Sequence, residues 1–258
     1  MTASESVVTL TALSGIPRVQ PGDDLAVLLG DALDYNKLTL CDQDILVVSH
    51  KIVSKAEGRY VSLNRVTPSA QAQRLALETE KDPALVELIL SESRAILRQR
   101  PGLIIAEHRL GMIMANAGID QSNVDDDGAG PRVLLLPQDP DGSSATLRQA
   151  LHQRLGIDLG IIIADSAGRA WRHGVIGMAL GVAGLPALVD LRGKPDLQGR
   201  PLAVSHTGFA DQIASAAELL MGEAAEGRPV VVIHGLSWQE QANPASDLIR
   251  TDAEDLFR

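Results

Sequence analysis

The stretch LGIIIADSAGRAWRHGVIG, Leu159 to Gly177, decides how the chain is read. It opens on an apolar run too short for a typical helix, and the run ends on Asp165 and Ser166. Such a run, bounded by turn residues, is the pattern of a strand buried on both faces. Polar groups placed directly after a buried strand lie where binding residues usually sit, because strand ends carry loops on a rigid scaffold. Arg169, Arg172 and His173 follow closely. Two readings stay open on spacing alone. In one, a carboxylate, a hydroxyl and two guanidiniums hold a hard cation together with a multiply charged anion. In the other, Asp165 caps a strand-to-turn corner and the arginines are solvated. Trp171 is read as a wedge packing that turn against the core, with a place beside a bound ligand as the alternative, since large aromatics usually bury.

Working outward, four more runs read as strands: DILVVS at 44–49, GLIIAE at 102–107, RVLLLP at 132–137 and RPVVVIHG at 228–235. Helical patterns lie between them. Residues 22–36 carry apolar positions at helical spacing after an acidic start. Residues 67–97 open with Thr67 as N-cap and Pro68 at the first helical position, then break at Asp82-Pro83. Residues 141–156 end on Gly156 as a C-cap, and the Ala-rich pattern at 206–227 ends at Glu223 and Glu226. Helices and strands do not alternate strictly and no repeat is visible, so the class is α+β with mixed sheets and helices.

Composition narrows the function. The 258 residues can bury a sizeable core, and with only 2% aromatic residues that core must be aliphatic. A net charge of −10 argues against a nucleic-acid partner, but bound cations and local Arg or Lys still permit a small phosphorylated ligand. The single Cys41 suits a reducing compartment, and no signal peptide or membrane-spanning run is visible, so a cytoplasmic location is expected.

Three further stretches bear on chemistry. ANAGIDQSNVDDDGAG, Ala115 to Gly130, collects Asp120 and Asp125 to Asp127 but is no calcium loop. Counted from Asp120 it lacks the sixth-position glycine, and counted from Asp125 it ends on Leu136 instead of Glu. In SHKIVSKAEGR, Lys51 and Lys55 fall one helical turn apart; they either bind phosphate or form a solvated basic face. Glu223 and Glu226 lie against an unfavourable helix end, where a compensating cation or plain exposure are both open. Neither G-x-x-x-x-G-K-[ST] nor G-x-G-x-x-G is present, and the glycines of GMALGVAG are wrongly spaced for either.

Taken together, SGIPRVQPGDDL, SHKIVSKAEGR, ANAGIDQSNVD, ADSAGRAWRHGVIGMALGVAG and AAELLMGEAAEGRPVVVIHGL closely resemble the CofE family of coenzyme F420-0:L-glutamate ligases, in the same order from about Leu13 to Leu236. The resemblance implies one ligase unit over 1–258, with two intimately associated subdomains whose boundary is not readable, and without the nitroreductase-like extension of fused members. It implies GTP, L-glutamate and coenzyme F420-0 as substrates and two divalent ions, Mg or Mn, with a potassium ion as an option. It also implies a homodimer. Asp120 and Asp165 resemble the catalytic metal ligands, with Ser166 and Glu223 on a further ion. Ile16, Pro17, Arg18, Val19, His50, Lys51, Lys55, Asn123 and the segment Met221, Gly222, Glu223, Ala224, Ala225, Glu226, Gly227, Arg228 fall in nucleotide-contacting segments. Arg169 and Arg172 are assigned to the anionic acceptor. Arg18 replaces a common acidic residue, His50 a frequent Ser and Glu223 a frequent Gln, while Asp125 to Asp127 are assigned to a solvated loop. A ligase for another carboxylate acceptor and a non-enzymatic deazaflavin-binding protein are the alternatives.

Overall fold

The computed structural model describes residues 7–124 and 130–256. Numbered in chain order, the main sheet runs β1 (Thr9–Ala12), β12 (Val230–His234), β2 (Ile45–Ser49), β8 (Gly160–Arg169) and β9 (Arg172–Ala183). β2 and β8 are parallel, and the other neighbours are antiparallel. Alternation along the strands builds two cores. Leu46, Val48, Ile161, Ile163, Val230 and Val232 face α1 (Leu25–Tyr35), α2 (His50–Ala56) and α5 (Pro140–Leu155). Ile45, Val47, Ile162, Ala164, Val231 and Ile233 face α6 (Phe209–Met221). A sheet covered on both faces explains why its central strands are continuous Val, Ile and Leu with no polar alternation.

Glycines admit the helices to β9. A Cβ on Gly177 would collide with the Ala214 carbonyl of α6, and one on Gly181 with the Pro140 carbonyl at the start of α5. The glycine spacing that fails as a phosphate loop therefore serves close helix–strand approach. β9 is also a sheet edge, whose outward N–H groups need partners. Asp211 of α6 accepts the Ala179 N–H at 2.9 Å, and Asp141 of α5 accepts the Val182 N–H at 2.8 Å. The burial that lets Asp211 reach this amide also raises its carboxyl pKa, against the lowering by the Ala179 bond.

A separate core gathers residues between Leu63 and Leu135. It holds α3 (Ala70–Thr79) and α4 (Pro83–Ser91) against the antiparallel strands β4 (Ser93–Arg100), β5 (Leu103–His108) and β6 (Ile113–Ala115), with β3 (Tyr60–Ser62) paired to β7 (Arg132–Leu134). The short pair β10 (Leu188–Asp190) and β11 (His206–Gly208) lies beyond the main sheet. Phe209 and Trp238 pack together beside the α6 core, with centroids 6.3 Å apart. No helix among the described residues is long and apolar enough to cross a membrane.

The structure corrects several sequence-based expectations. Ser69, not Thr67, caps α3, and the segment from Ser93 is strand β4 instead of helix. The break at Asp82-Pro83 is real, because Asp82 accepts the Ala84 and Leu85 amides as the cap of α4. The run at 132–137 is a strand only to Leu134, and the helical pattern at 206–227 shortens to α6. Glu223 and Glu226 therefore lie beyond the helix. The segment after Asp165 is no corner: β8 continues to Arg169 and turns through Ala170 and Trp171 into β9. Trp171 is not a buried wedge. It sits at φ 68° on the turn and is 88% exposed. Asp125 to Asp127 lie outside the described residues.

Two outcomes test this packing. Gly177→Ala should cost roughly 1–3 kcal/mol of stability by overpacking against α6, whereas Gly168→Ala, which meets open space, should stay within about 0.5 kcal/mol; equal urea midpoints would contradict the close approach. The second concerns Glu92, which is reached by Arg109 at 3.1 Å and Arg59 at 3.2 Å. The His108 ring, 3.5 Å away, together with those guanidiniums holds the carboxyl down at about 2, against the burial that pushes it up. A depressed folded pKa gives stability that is present above the ordinary value of 4.5 and is lost as pH falls toward 2. Glu92→Gln should thus cost roughly 1–2 kcal/mol at pH 7, and the gap between variant and parent should close as the pH is lowered through that window.

Candidate active site

The parallel pairing of β2 with β8 ends with Ser49 opposite Ala164, so the residues that follow this last pair, His50 on one side and Asp165 on the other, emerge side by side. His50 is buried with Nε2 3.2 Å from Asp165 Oδ1. Its Nδ1 finds no hydrogen-bond partner among the described residues. The Ser49 hydroxyl caps α2 at the Lys51 amide. Lys51 and Lys55 then point the same way, one turn apart. Lys51 Nζ lies 2.7 Å from Asp120 Oδ2 and donates to Ser122 Oγ at 3.0 Å, while Lys55 Nζ donates to the Asn123 carbonyl at 2.9 Å.

Asp120 is held rigidly. Its N–H and carbonyl are both exchanged with Leu134 at 2.9 Å, and Oδ1 accepts the Ser122 N–H and hydroxyl at 2.7 and 2.8 Å. Burial pushes its carboxyl up, but the hydrogen bonds from Lys51 and Ser122 and the Lys51 charge outweigh it and leave the pKa below the usual range. At the far wall, α6 stops at Gly222, whose φ of 73° turns the chain. Glu226 folds back to accept the Ala224 N–H at 2.8 Å, closing the loop on itself. Glu223 Oε2 accepts the Ser166 hydroxyl at 3.0 Å. Glu218, one turn before the end of α6, joins this group. Burial first, then the Glu223 and Asp165 carboxylates, push its pKa up to about 7. Sequence inspection missed it because a Glu inside an Ala-rich helix looks like a solvated face, and only the position of β8 reveals its company.

Two clefts meet at these residues, and a third adjoins the second. The first, about 640 Å³, is walled by Ile16 to Val19, Lys51, Lys55, Asn123 and the whole segment Met221 to Arg228, with Asp165 and Ser166 at its inner end. Every residue placed in a nucleotide-contacting segment is here except His50, which lies behind Asp165 in the second cleft. That cleft, about 590 Å³, holds Asp120 and shares Lys51, Asp165, Ser166 and Glu223 with the first. The third and largest, about 1120 Å³, carries none of these carboxylates and shares Arg169 with the second. Arg172 is exposed and lines none of the three, so the structure separates the two arginines that the sequence grouped.

The donor set is one of hard oxygen ligands: three carboxylates and a hydroxyl from Asp120, Asp165, Glu223 and Ser166. Among the described residues, however, no three His, Cys, Asp or Glu side chains form a finished metal cage. The Glu223 and Asp165 carboxylates add to burial in raising the Glu218 pKa, and such grouping of negative charge is the condition a divalent cation relieves.

The family model described as F420-0:Gamma-glutamyl ligase matches residues 15–235. The coenzyme F420:L-glutamate ligase of Methanopyrus kandleri is 44% identical over 246 residues, 93% of this chain and 94% of that protein. The protein of the same name from Methanothermobacter thermautotrophicus is 44% identical over 253 residues, covering 97% and 99%. That from Archaeoglobus fulgidus is 38% identical over 251 residues, covering 97% and 96%. The residues matched by the family model include all those that line the first two clefts, and the chain belongs to the F420-0:gamma-glutamyl ligase family.

Proposed function

We propose that this protein is a GTP-dependent ligase that joins L-glutamate to coenzyme F420-0, with further γ-linked glutamates possible in the same site, in coenzyme F420 biosynthesis. One observation carries the reading: segments far apart in sequence converge on the cleft whose inner end holds Asp165, Ser166 and Glu223. A carboxylate is a poor acyl donor. In the proposed reaction the acceptor carboxylate takes the γ-phosphoryl group of GTP, forming an acyl phosphate and releasing GDP. The glutamate amine then attacks the acyl carbon, phosphate leaves, and the amine gives up a proton as the amide forms.

The residues divide this task by charge. Arg18, Lys51, Lys55 and Arg228 line the first cleft and supply cations for the triphosphate. Asp120, Asp165, Glu223 and Ser166 would hold divalent ions, magnesium or manganese, with a potassium ion as an option. When bound, such ions neutralise phosphate oxygens during transfer. Lys51 already stands between the two clefts, paired with Asp120, where it can steer an anion toward the junction. His50 fixes the orientation of Asp165 from behind. The reading includes a homodimer acting in the cytoplasm.

Two outcomes test it. GTP and ATP carry the same triphosphate, so discrimination must come from groups around the base. GTP should support ligation much better than ATP at subsaturating concentration, and equal rates would remove the guanine preference. Asp165→Asn and Asp120→Asn keep side-chain shape but lose the charge a hard cation needs. Each should lower ligation by orders of magnitude, measured by mass spectrometry of the products, with little change in melting temperature. The double variant should be scarcely worse than either single one, because groups acting through one site are not additive. An Asp165→Asn protein that unfolds while its folded fraction stays fully active would make Asp165 a structural residue.

A further inference from the structure

The second and third clefts share a wall formed by Ile105, Ile113, Gly168, Arg169 and Ala170. They run along the extension of the β8–β9 hairpin, beyond the point where β2 stops pairing with β8 at Ala164. One end of this path is the junction of Lys51, Asp165, Ser166 and Glu223. The other is broad, and its lining mixes Met112, Met178, Leu180 and Ile249 with the charged side chains of Arg98, Asp141, Asp211 and Arg250. Methionine side chains such as Met112 and Met178 are flexible and polarisable, and their sulfurs make favourable contacts with aromatic rings. Between the ends stands Arg169, whose Nη1 is buried and has no hydrogen-bond partner among the described residues. A buried guanidinium nitrogen left unpaired is costly, and an anionic ligand oxygen would satisfy it.

We propose that these two clefts form one acceptor channel. Arg169 holds an anionic group of the acceptor set back from its reacting carboxylate, and the methionine-lined cleft holds the apolar body. The assignment rests on the ligase reading above, and it fixes the direction in which the acceptor lies. Nucleotide enters from the side of Lys55 and Arg228, acceptor from the side of Met178 and Ile249, and the two meet at Asp165 and Ser166. The channel distinguishes Arg169 from Arg172, which touches none of the three clefts and has no role in it.

The test is direct binding by calorimetry in the absence of glutamate, with coenzyme F420-0 as one probe and the deazaflavin lacking its anionic tail as the other. Arg169→Ala should weaken F420-0 binding roughly 10- to 100-fold, Arg169→Lys less, and neither should change binding of the tail-less deazaflavin. Ile113→Trp, at an exposed position on the shared wall, should weaken both probes by narrowing the channel. GTP binding and melting temperature should stay at the parent values in all three variants and serve as the folding control. Unchanged F420-0 binding in folded Arg169→Ala and Ile113→Trp proteins would overturn the channel and leave the ligase reading standing. Failure of the unaltered protein to bind F420-0 would overturn both.

Discussion

Parallel pairing of β2 with β8 is the constraint on which the site depends. Two parallel neighbours deliver their following residues to the same end of the sheet, and ligands in sheets of this kind bind outside the carboxyl ends of the strands. With Ser49 opposite Ala164, His50 and Lys51 on one chain segment face Asp165 and Ser166 on another, 115 positions away in register. A two-residue slip would keep each strand's apolar faces toward the same cores, yet it would carry Asp165 away from His50. The antiparallel partner β12 fixes the site from the other side: Arg228 and Pro229, just before it, complete the loop that leaves α6. The geometry of the candidate site is thus set by backbone hydrogen bonds between strands.

The same ladder explains what was legible in the sequence. Strands covered on both faces must be continuous aliphatic runs, so β2, β8 and β12 announced themselves at once. The motif residues that lined the first cleft were found through the family resemblance, with His50 displaced to the second cleft. What stayed hidden depends on tertiary company. β4 carries Ser93-Arg94-Ala95-Ile96-Leu97 directly after a helix, and two register irregularities in its pairing with β5 spoil any period-two signal. The hairpin beyond Ala164 breaks the aliphatic run with small and polar residues, and its few large apolar side chains, Trp171, Val175 and Ile176, are exposed. Glu218 has a raised pKa first because the fold buries it, and then because β8 and the loop after α6 bring Asp165 and Glu223 to it. Trp171 defied the expectation that large aromatics bury because the two-residue turn places it outward.

β9 shows how function and packing are combined in one strand. Its residues Met178, Ala179 and Leu180 line the third cleft. Its second half is an edge whose amides are taken by Asp141 and Asp211 from the first turns of α5 and α6. Asp141 also accepts the Ala245 amide at 2.8 Å and so ties the C-terminal segment to the same edge. The edge is thereby closed to pairing with another strand, and the two helices are indexed to the strand that carries Met178 and Leu180.

The scarcity of aromatic residues has an optical consequence. The protein has only two tryptophans, and they occupy opposite environments: Trp238 packs against Phe209 beside the α6 core, while Trp171 stands at the hairpin tip. Intrinsic fluorescence is therefore a two-channel signal. Emission from Trp238 follows the integrity of the sheet–helix core, and emission from Trp171 is red-shifted and sensitive to quenchers whenever the tip is bathed in water. With either tryptophan replaced by Phe, the remaining one reports separately on unfolding of the scaffold or on whatever comes to cover the hairpin.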